Sequence, residues 1–548
     1  MEEDDLEITN SPPGVQKLSQ VPGAPVEKVN PLGHEVTLLS ATMLNIGRIT
    51  GSGIYAVPGV ILHSVGSVGM LLTLWVITPF FAYAGLALYC ELGAMFPNRS
   101  GGEVVYMEQM FPKPKFLIPT TFAFCAVLLS INSVNAVIFT QYFLTSFEMP
   151  VTDTRQIVVA LAVVSITTLC VAFSTKWSLR IVNLLTILNT ISLAFIVITG
   201  AAVLLGLTRV PDPIAHFHNP FANTSTNFNA LANAMVKASW SFVGWNNAFY
   251  MLAEVKGPNP VRTVRKASII SLALTAGLFL FINVAYVAAV PPEEIRNSGQ
   301  LVAALFFRRV FGDTTTVKLF PLLVALSCFG NIIAVTVTQA RMIREVARQG
   351  LLPFPRFFAA TIPFGTPIGP VALISVLTCL VILVVPAKDA FNFILDVSSY
   401  PRLIFQVAMC FGIWRLRNRR SKTGLPPSEF EAKNIYILLF LLQGLFLTLM
   451  PWYFYGWISA EPIIHRCNRV PPEPGQADVS FWYATYCVVG IAILVACGIY
   501  YWLWIVLLPK LGRYEIVEEI EEQNNGARNV RLVRQYLHEG TEHQPLLL

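Results

Sequence analysis

The stretch Gly47–Gly59, GRITGSGIYAVPG, breaks an apolar run with chemistry that a plain membrane-crossing helix does not need. Gly51-Ser52-Gly53 stands at its centre, with Arg48 just before it. Glycines at this spacing let backbone come close to a ligand and adopt positive φ. A helix unwound there frees carbonyls at the end of one half and N–H groups at the start of the next. The N–H end has positive dipole character and holds a carboxylate, while the carbonyl end holds an ammonium. Segment 229–255 carries similar damage: its centre, Ser241-Phe242-Val243-Gly244-Trp245-Asn246-Asn247, is small, polar and aromatic. Non-helical backbone at membrane depth is tolerated only where it is buried in protein or lines a cavity. Taken alone, the Gly-Ser-Gly motif also fits close helix packing; taken with the second break, it fits a site for a zwitterionic α-amino acid.

The elements that must position these breaks are membrane spans. Of 548 residues, 54% are hydrophobic and 13% charged, against about 25% charged in soluble domains. About twelve apolar stretches reach the length that crosses a bilayer, centred near residues 50, 78, 130, 164, 193, 242, 278, 331, 378, 405, 445 and 493. The stretch 114–148 is long enough to tilt or extend beyond the lipid. The broken spans are the first and the sixth, which predicts two inverted repeats of five helices, each opening on an unwound helix. The expected fold is all-α and polytopic, with 12 transmembrane helices. The divisions are a tail 1–36, a first repeat 37–207, a second repeat 229–418, two added helices within 434–508 and a tail 509–548. The basic loops KGPNPVRTVRK, RMIREVARQGLLPFPR and WRLRNRRSK put both termini in the cytosol. The start, MEEDDLEITNSPPG, has no apolar core and is not a cleavable signal peptide. The C-terminal EIVEEIEEQNN reads as partly helical or disordered.

Charges inside the spans are candidates for function. Arg48 costs at least ~2.5 kcal/mol at mid-membrane and is expected to close an inner gate by pairing with Glu254 or Asp396; the competing reading has it snorkel into a vestibule. Asp396 and Ser399 share a helix face, as a proton site or as a cap. Asn132 and Asn135 either contact substrate or bridge helices, and Arg341, Arg344 and Arg348 read as positive-inside charges with helix-end pairing. The net charge of +6 is spread over short loops and calls for no nucleic acid. The seven histidines lie in tails, loops or span edges, and no Walker A sequence occurs. The nine cysteines lack metal-ligand spacing; Cys467 is either a free thiol or a partner for Cys487. These residues supply neither a metal or cofactor site nor an enzyme's active site.

GSGI in the first span, GWNNAFYMLAEVKGPNPVRT at the sixth and RQGLLPF after the eighth resemble the amino acid–polyamine–organocation transporters. RITGSGIYAVPGVIL, EEIRNSGQLVAALFFRRVFG, FGIWRLR and VLLPKL are similar to the fungal methionine permease group, close to the L-type branch. The resemblance covers roughly residues 37–512. It implies a LeuT-like five-plus-five inverted repeat and secondary active import of a neutral amino acid, methionine foremost, with a proton across the plasma membrane; the alternatives are a transporter of the same fold for choline, a polyamine or another amino acid, and a nutrient receptor that binds without transporting. By position, the carboxylate meets the N–H groups of Ser52, Gly53 and Ile54 beside Gly51. The ammonium meets carbonyls near Ile49, Trp240, Ser241 and Val243. Phe242 matches an aromatic gate, and Gly244 and Trp245 lie in the unwound wall. The loop SFEMPVTDTR has no cysteine, so no disulfide-linked heavy chain is expected. Where many relatives carry a fifth-span lysine, this chain has Asn189, which puts lysine-based proton coupling in doubt. Lys17, Lys28 and Lys510 are family-level candidates for ubiquitin-dependent turnover.

Overall fold

The computed structural model describes residues 32–299, 301–312, 315–362, 364–385, 390–424, 427–452, 485–522 and 528–536. The first break is real: α1 (Leu38–Ile49) and α2 (Gly53–Val65) are separate helices. Thr37 caps α1 by accepting a hydrogen bond from the Ser40 N–H at 3.2 Å, and α2 ends at a left-handed Gly66. Then follow α3 (Val68–Met95), the short α4 (Glu103–Met110), α5 (Leu117–Leu128), α6 (Ser133–Ser146), α7 (Asp153–Phe173) and α8 (Thr175–Leu204). The second break separates α9 (Phe228–Ser241) from a 3₁₀ segment, Asn247–Glu254. Beyond it run α10 (Pro260–Ala289), α11 (Pro292–Asn297), α12 (Val302–Phe311), α13 (Thr315–Arg348), α14 (Pro355–Ala359), α15 (Ile368–Val384) and α16 (Ala390–Lys422). The last helices are α17 (Asn434–Leu449), α18 (Thr485–Tyr501) and α19 (Leu508–Gly512).

Among the described residues, 7 helical stretches are long and apolar enough to cross a membrane: α3, α5 with α6, α7, α8, α10, most of α13, and α18 through α19. Such helices need no amphipathic face, because lipid accepts apolar side chains all round. Ile166, Leu169 and Phe173 on α7, and Leu184, Ile191 and Ile198 on α8, accordingly stand exposed. The interior is occupied by α1, α2, α9, α10 and α13, with α6 and α8 packed against α13.

Two segments differ from the sequence expectation. The stretch 114–148 is not one helix: it breaks at Leu129–Asn132 between α5 and α6. Polar groups pull the chain out of the helical ladder there. The Asn132 N–H donates to Thr378 Oγ1 at 3.1 Å and its Nδ2 to Thr336 Oγ1 at 3.0 Å. The C-terminal tail is neither helical nor disordered over Tyr514–Glu522 and Arg528–Tyr536. It forms an antiparallel hairpin, β1 (Tyr514–Glu522) with β2 (Arg528–Tyr536), pairing Val517 with Val533 and Glu519 with Arg531. A lone hairpin is marginal in water. This one has support: Val530 is buried, and β2 lies against Gly350 at the end of α13.

Candidate functional site

The carbonyl end of α1 is held by amides and a hydroxyl from two other helices. Asn189 on α8 donates through Nδ2 to the Thr50 carbonyl at 2.8 Å, and Ser327 on α13 donates to the same oxygen at 2.8 Å. Asn331 on α13 donates to the carbonyls of Gly47 and Arg48 at 2.8 and 2.6 Å. Three carbonyls that helix geometry leaves open are therefore already satisfied. Asn189 also accepts from Tyr55 Oη at 2.6 Å, so one amide ties the end of α1 to the start of α2.

The N–H end is less occupied. Asn135 Oδ1 accepts from Ser52 Oγ at 2.8 Å and from the Ser52 N–H at 3.4 Å, while the Tyr55 and Ala56 N–H groups turn back to the Ser52 carbonyl. The first helical positions, Gly53 and Ile54, keep the open N–H groups expected at a helix start. Gly53 is required by close approach: a Cβ there would lie 3.0 Å from Ser241 Cα.

The second break folds around α1. Gly244 takes φ +135, and a Cβ on it would stand 2.4 Å from Arg48 Cγ and 3.0 Å from the Ile49 nitrogen. Buried Asn45 fixes the chain leaving the break. Its Nδ2 donates to the Trp245 carbonyl at 3.0 Å and its Oδ1 accepts from the Ala248 N–H at 2.9 Å. Asn247 accepts from Thr338 Oγ1 at 2.9 Å. The Trp240 carbonyl accepts the Val243 N–H at 3.0 Å, which leaves it one lone pair.

A small cavity of about 20 Å³ lies between the breaks, room for about one water. Ile49, Gly51, Ser52 and Gly53 line it from one side, Trp240, Ser241 and Val243 from the other, with Asn135 and Asn331. A larger cavity of about 220 Å³ adjoins it and shares Arg48, Trp240 and Val243. Gly244 and Trp245 line only the larger one. Ile54 is fully buried and lines neither. Phe242 also lines neither: its ring packs against Trp75 at 5.8 Å and Phe279 at 5.2 Å.

The expected Arg48 pairing is not formed. Glu254 is bound instead by Arg341, Nε to Oε1 at 3.3 Å, and both side chains are only 1% exposed. Arg341 is thus no loop charge; it also donates to Thr175 Oγ1 at 2.8 Å. The reason is the fold: the 3₁₀ segment turns Glu254 toward α13 and away from the cavity. Asp396 is buried in α16, near Tyr486 of α18, and does not reach Arg48. Arg348 does pair locally, with Glu345 at 2.7 Å. Val36 and Val255 form a parallel bridge, with the Val36 N–H donating to the Glu254 carbonyl at 3.2 Å and the Lys256 N–H to Val36 at 2.8 Å. Asn132 and Asn135 bridge to Thr336 and Ser52 respectively. Cys467, Lys17 and Lys28 lie outside the described residues; Lys510 is exposed.

Sequence reasoning missed Asn45, Ser327 and Asn331. Their signal was available, because each is a polar residue inside an apolar span, where a polar side chain needs a partner.

Paired broken helices whose N–H and carbonyl ends meet beside a cavity, in a bundle of long apolar helices, define a membrane transporter for small dipolar solutes. The chain belongs to the amino acid permease family, whose model matches residues 36–494. Within the amino acid–polyamine–organocation transporters it stands near the fungal methionine permeases. It is 32% identical over 508 residues to the high-affinity methionine permease of Saccharomyces cerevisiae, covering 92% of this chain and 84% of that one. It is 26% identical to the low-affinity methionine permease of the same yeast, over 90% and 87% of the two chains. It is 27% identical to the b(0,+)-type amino acid transporter 1 of Mus musculus, over 81% and 95%. The protein is a multi-pass membrane protein of amino acid transport.

Proposed function

We propose that this permease imports a neutral amino acid, methionine foremost, across the plasma membrane in symport with a proton. The observation that supports this best is the facing pair of breaks, with the Gly53 and Ile54 N–H groups open while the Gly47, Arg48 and Thr50 carbonyls are already satisfied. The substrate carboxylate sits on the Ser52–Ile54 N–H groups, and the ammonium on the Ile49 carbonyl and the remaining lone pairs of the second break. The side chain passes Trp240 and Val243 into the larger cavity. Trp240 and Trp245 offer ring contacts to a thioether, although one methylene changes selectivity by only about 1–3 kcal/mol.

In this reading the chain crosses the membrane twelve times. The crossings are α1 with α2, α3, α5 with α6, α7, α8, α9 with the 3₁₀ segment, α10, α13, α15, α16, α17 and α18. The two breaks open equivalent inverted repeats, and both termini are cytosolic. The Val36–Val255 bridge and the Glu254–Arg341 pair then close the cytosolic side.

Uptake of radiolabelled methionine tests this, in cells lacking their own methionine permeases, at two external pH values and against unlabelled competitors. Saturable uptake, faster at acid pH and blocked chiefly by methionine, is expected. Absence of uptake from cells that display the protein at their surface would reject it.

A further inference from the structure

The larger cavity contains more positive charge than a neutral side chain needs. Its walls carry two arginines, Arg48 from α1 and Arg402 from α16, and one carboxylate, Glu103 at the start of α4. Arg402 is exposed, at the middle of a helix inside the bundle, so the cavity is where its charge goes. The two guanidinium groups are near enough to feel each other's charge. Among the described residues, none of the ion pairs involves either arginine. Glu103 is held within the same cavity wall, where its Oε1 accepts from Tyr89 Oη and from Asn246 Nδ2, and among the described residues it forms no ion pair with either arginine. The carboxylates expected to neutralise Arg48 are also out of reach, Glu254 on Arg341 and Asp396 beside α18.

Two arginines lining one membrane-embedded cavity repel, and an intramembrane cation marks a site by default. A guanidinium offers five donors and no acceptor, and its fork matches a carboxylate. The cavity also adjoins the proposed amino acid site, since Arg48, Trp240 and Val243 line both spaces.

We propose that Arg48 and Arg402 form an anion site in the larger cavity, whose ligand is a carboxylate-class group on the side chain of the transported amino acid. This rests on the backbone poles holding the α-amino and α-carboxylate groups, and it widens the substrate class to amino acids with a second acidic group. A free small anion would bring the same chemistry without the poles. In that case it accompanies a neutral substrate.

The test uses the purified full chain in detergent and follows its melting temperature, which rises when a ligand binds the folded form. The probes, at constant ionic strength, are L-glutamate, L-α-aminoadipate, L-norleucine as a neutral comparison, and acetate as a carboxylate without poles. Stabilisation by the acidic amino acids beyond both norleucine and acetate is expected. Arg402→Gln should weaken their apparent affinity at least tenfold, and Arg402→Lys should restore part of it in a protein with the same unliganded melting temperature. Acetate acting as well as glutamate would support the anion site and identify a free anion as its occupant. No stabilisation by any anion, or stabilisation that Arg402→Gln leaves intact, overturns the proposal. Anion stabilisation without any response to norleucine would reject the amino acid poles and leave the arginine site standing.

Discussion

Replacing Gly244 by alanine attacks the contact between the two broken helices at one atom. The φ of +135 is a conformation that side chains with a Cβ rarely adopt, and holding it costs about 1–3 kcal/mol. The added Cβ would also stand 2.4 Å from Arg48 Cγ, 2.7 Å from Arg48 Cβ and 3.0 Å from the Ile49 nitrogen. The Arg48 side chain can swing away, but the Ile49 backbone is tied into α1 and cannot. Overpacking of this kind adds about 1–3 kcal/mol. The total is about 2–6 kcal/mol, borne by the arrangement in which the breaks face each other. At 1.4 kcal/mol per decade that is roughly one and a half to four decades in site occupancy. The assay is radiolabelled uptake normalised to surface protein, with Gly277→Ala as control. Gly277 lies in α10, and a Cβ there meets nothing within 4 Å, so that variant should match the parent. A Gly244→Ala protein with unchanged Vmax and KM would refute the close approach of the second break to Arg48 and Ile49.

Breaking the buried Glu254–Arg341 pair, whose side chains are each 1% exposed, should cost about 3–5 kcal/mol in Glu254→Gln. The double variant with Arg341→Gln should lose less than the sum of the singles; additive losses in thermal unfolding would show that the two do not act together. Asn331→Leu deletes donors to the Gly47 and Arg48 carbonyls, a loss of about 1–3 kcal/mol. Uptake should therefore fall by about one to two decades, and parental uptake would mean that the carbonyl end needs no amide support. Glu108, in the connection between α3 and α5, is pushed up to about 8 by burial, against the opposing pull of Arg99. The folded protein therefore keeps a proton that the unfolded chain releases. That contribution to stability is full below the ordinary value of 4.5 and is lost as pH rises through about 8. Glu108→Gln should flatten that decline in melting temperature, and an identical slope in the variant would exclude Glu108 as its source.

In the proposed reading, the cytosolic closure and the substrate site share one mechanical link. Asn45 ties the Trp245 carbonyl and the Ala248 N–H to α1, while Val36 bonds to Glu254 and Lys256 at the far end of the 3₁₀ segment. The α1 half of the first span and the 3₁₀ half of the sixth are thus joined at both ends. Asn189, Ser327 and Asn331 join the same half of the first span to α8 and α13. Movement of α1 away from the bundle would break these bonds together, which makes the change cooperative.

The sequence by itself determined the membrane class, the two breaks and most of the backbone that meets between them. These are local properties. Apolar length specifies a span, and Gly-Ser-Gly or Phe-Val-Gly-Trp within one specifies where the helix stops. Polar residues inside spans could also be recognised as important, because lipid offers them no partner. Their partners could not be read, since pairing depends on which helices lie side by side. Arg48 looked destined for Glu254 or Asp396, yet the turn of the 3₁₀ segment gives Glu254 to Arg341, 87 residues away. Arg402 is 354 positions from Arg48, and only the packing of α1 and α16 around one cavity sets their charges together. The terminal hairpin is a similar case. Its acidic strand reads as disordered until the basic strand and the end of α13 are present to pair with it. Helix breaks are encoded over a few residues; the partner of a buried charge such as Glu254 is decided by a helix 87 residues away.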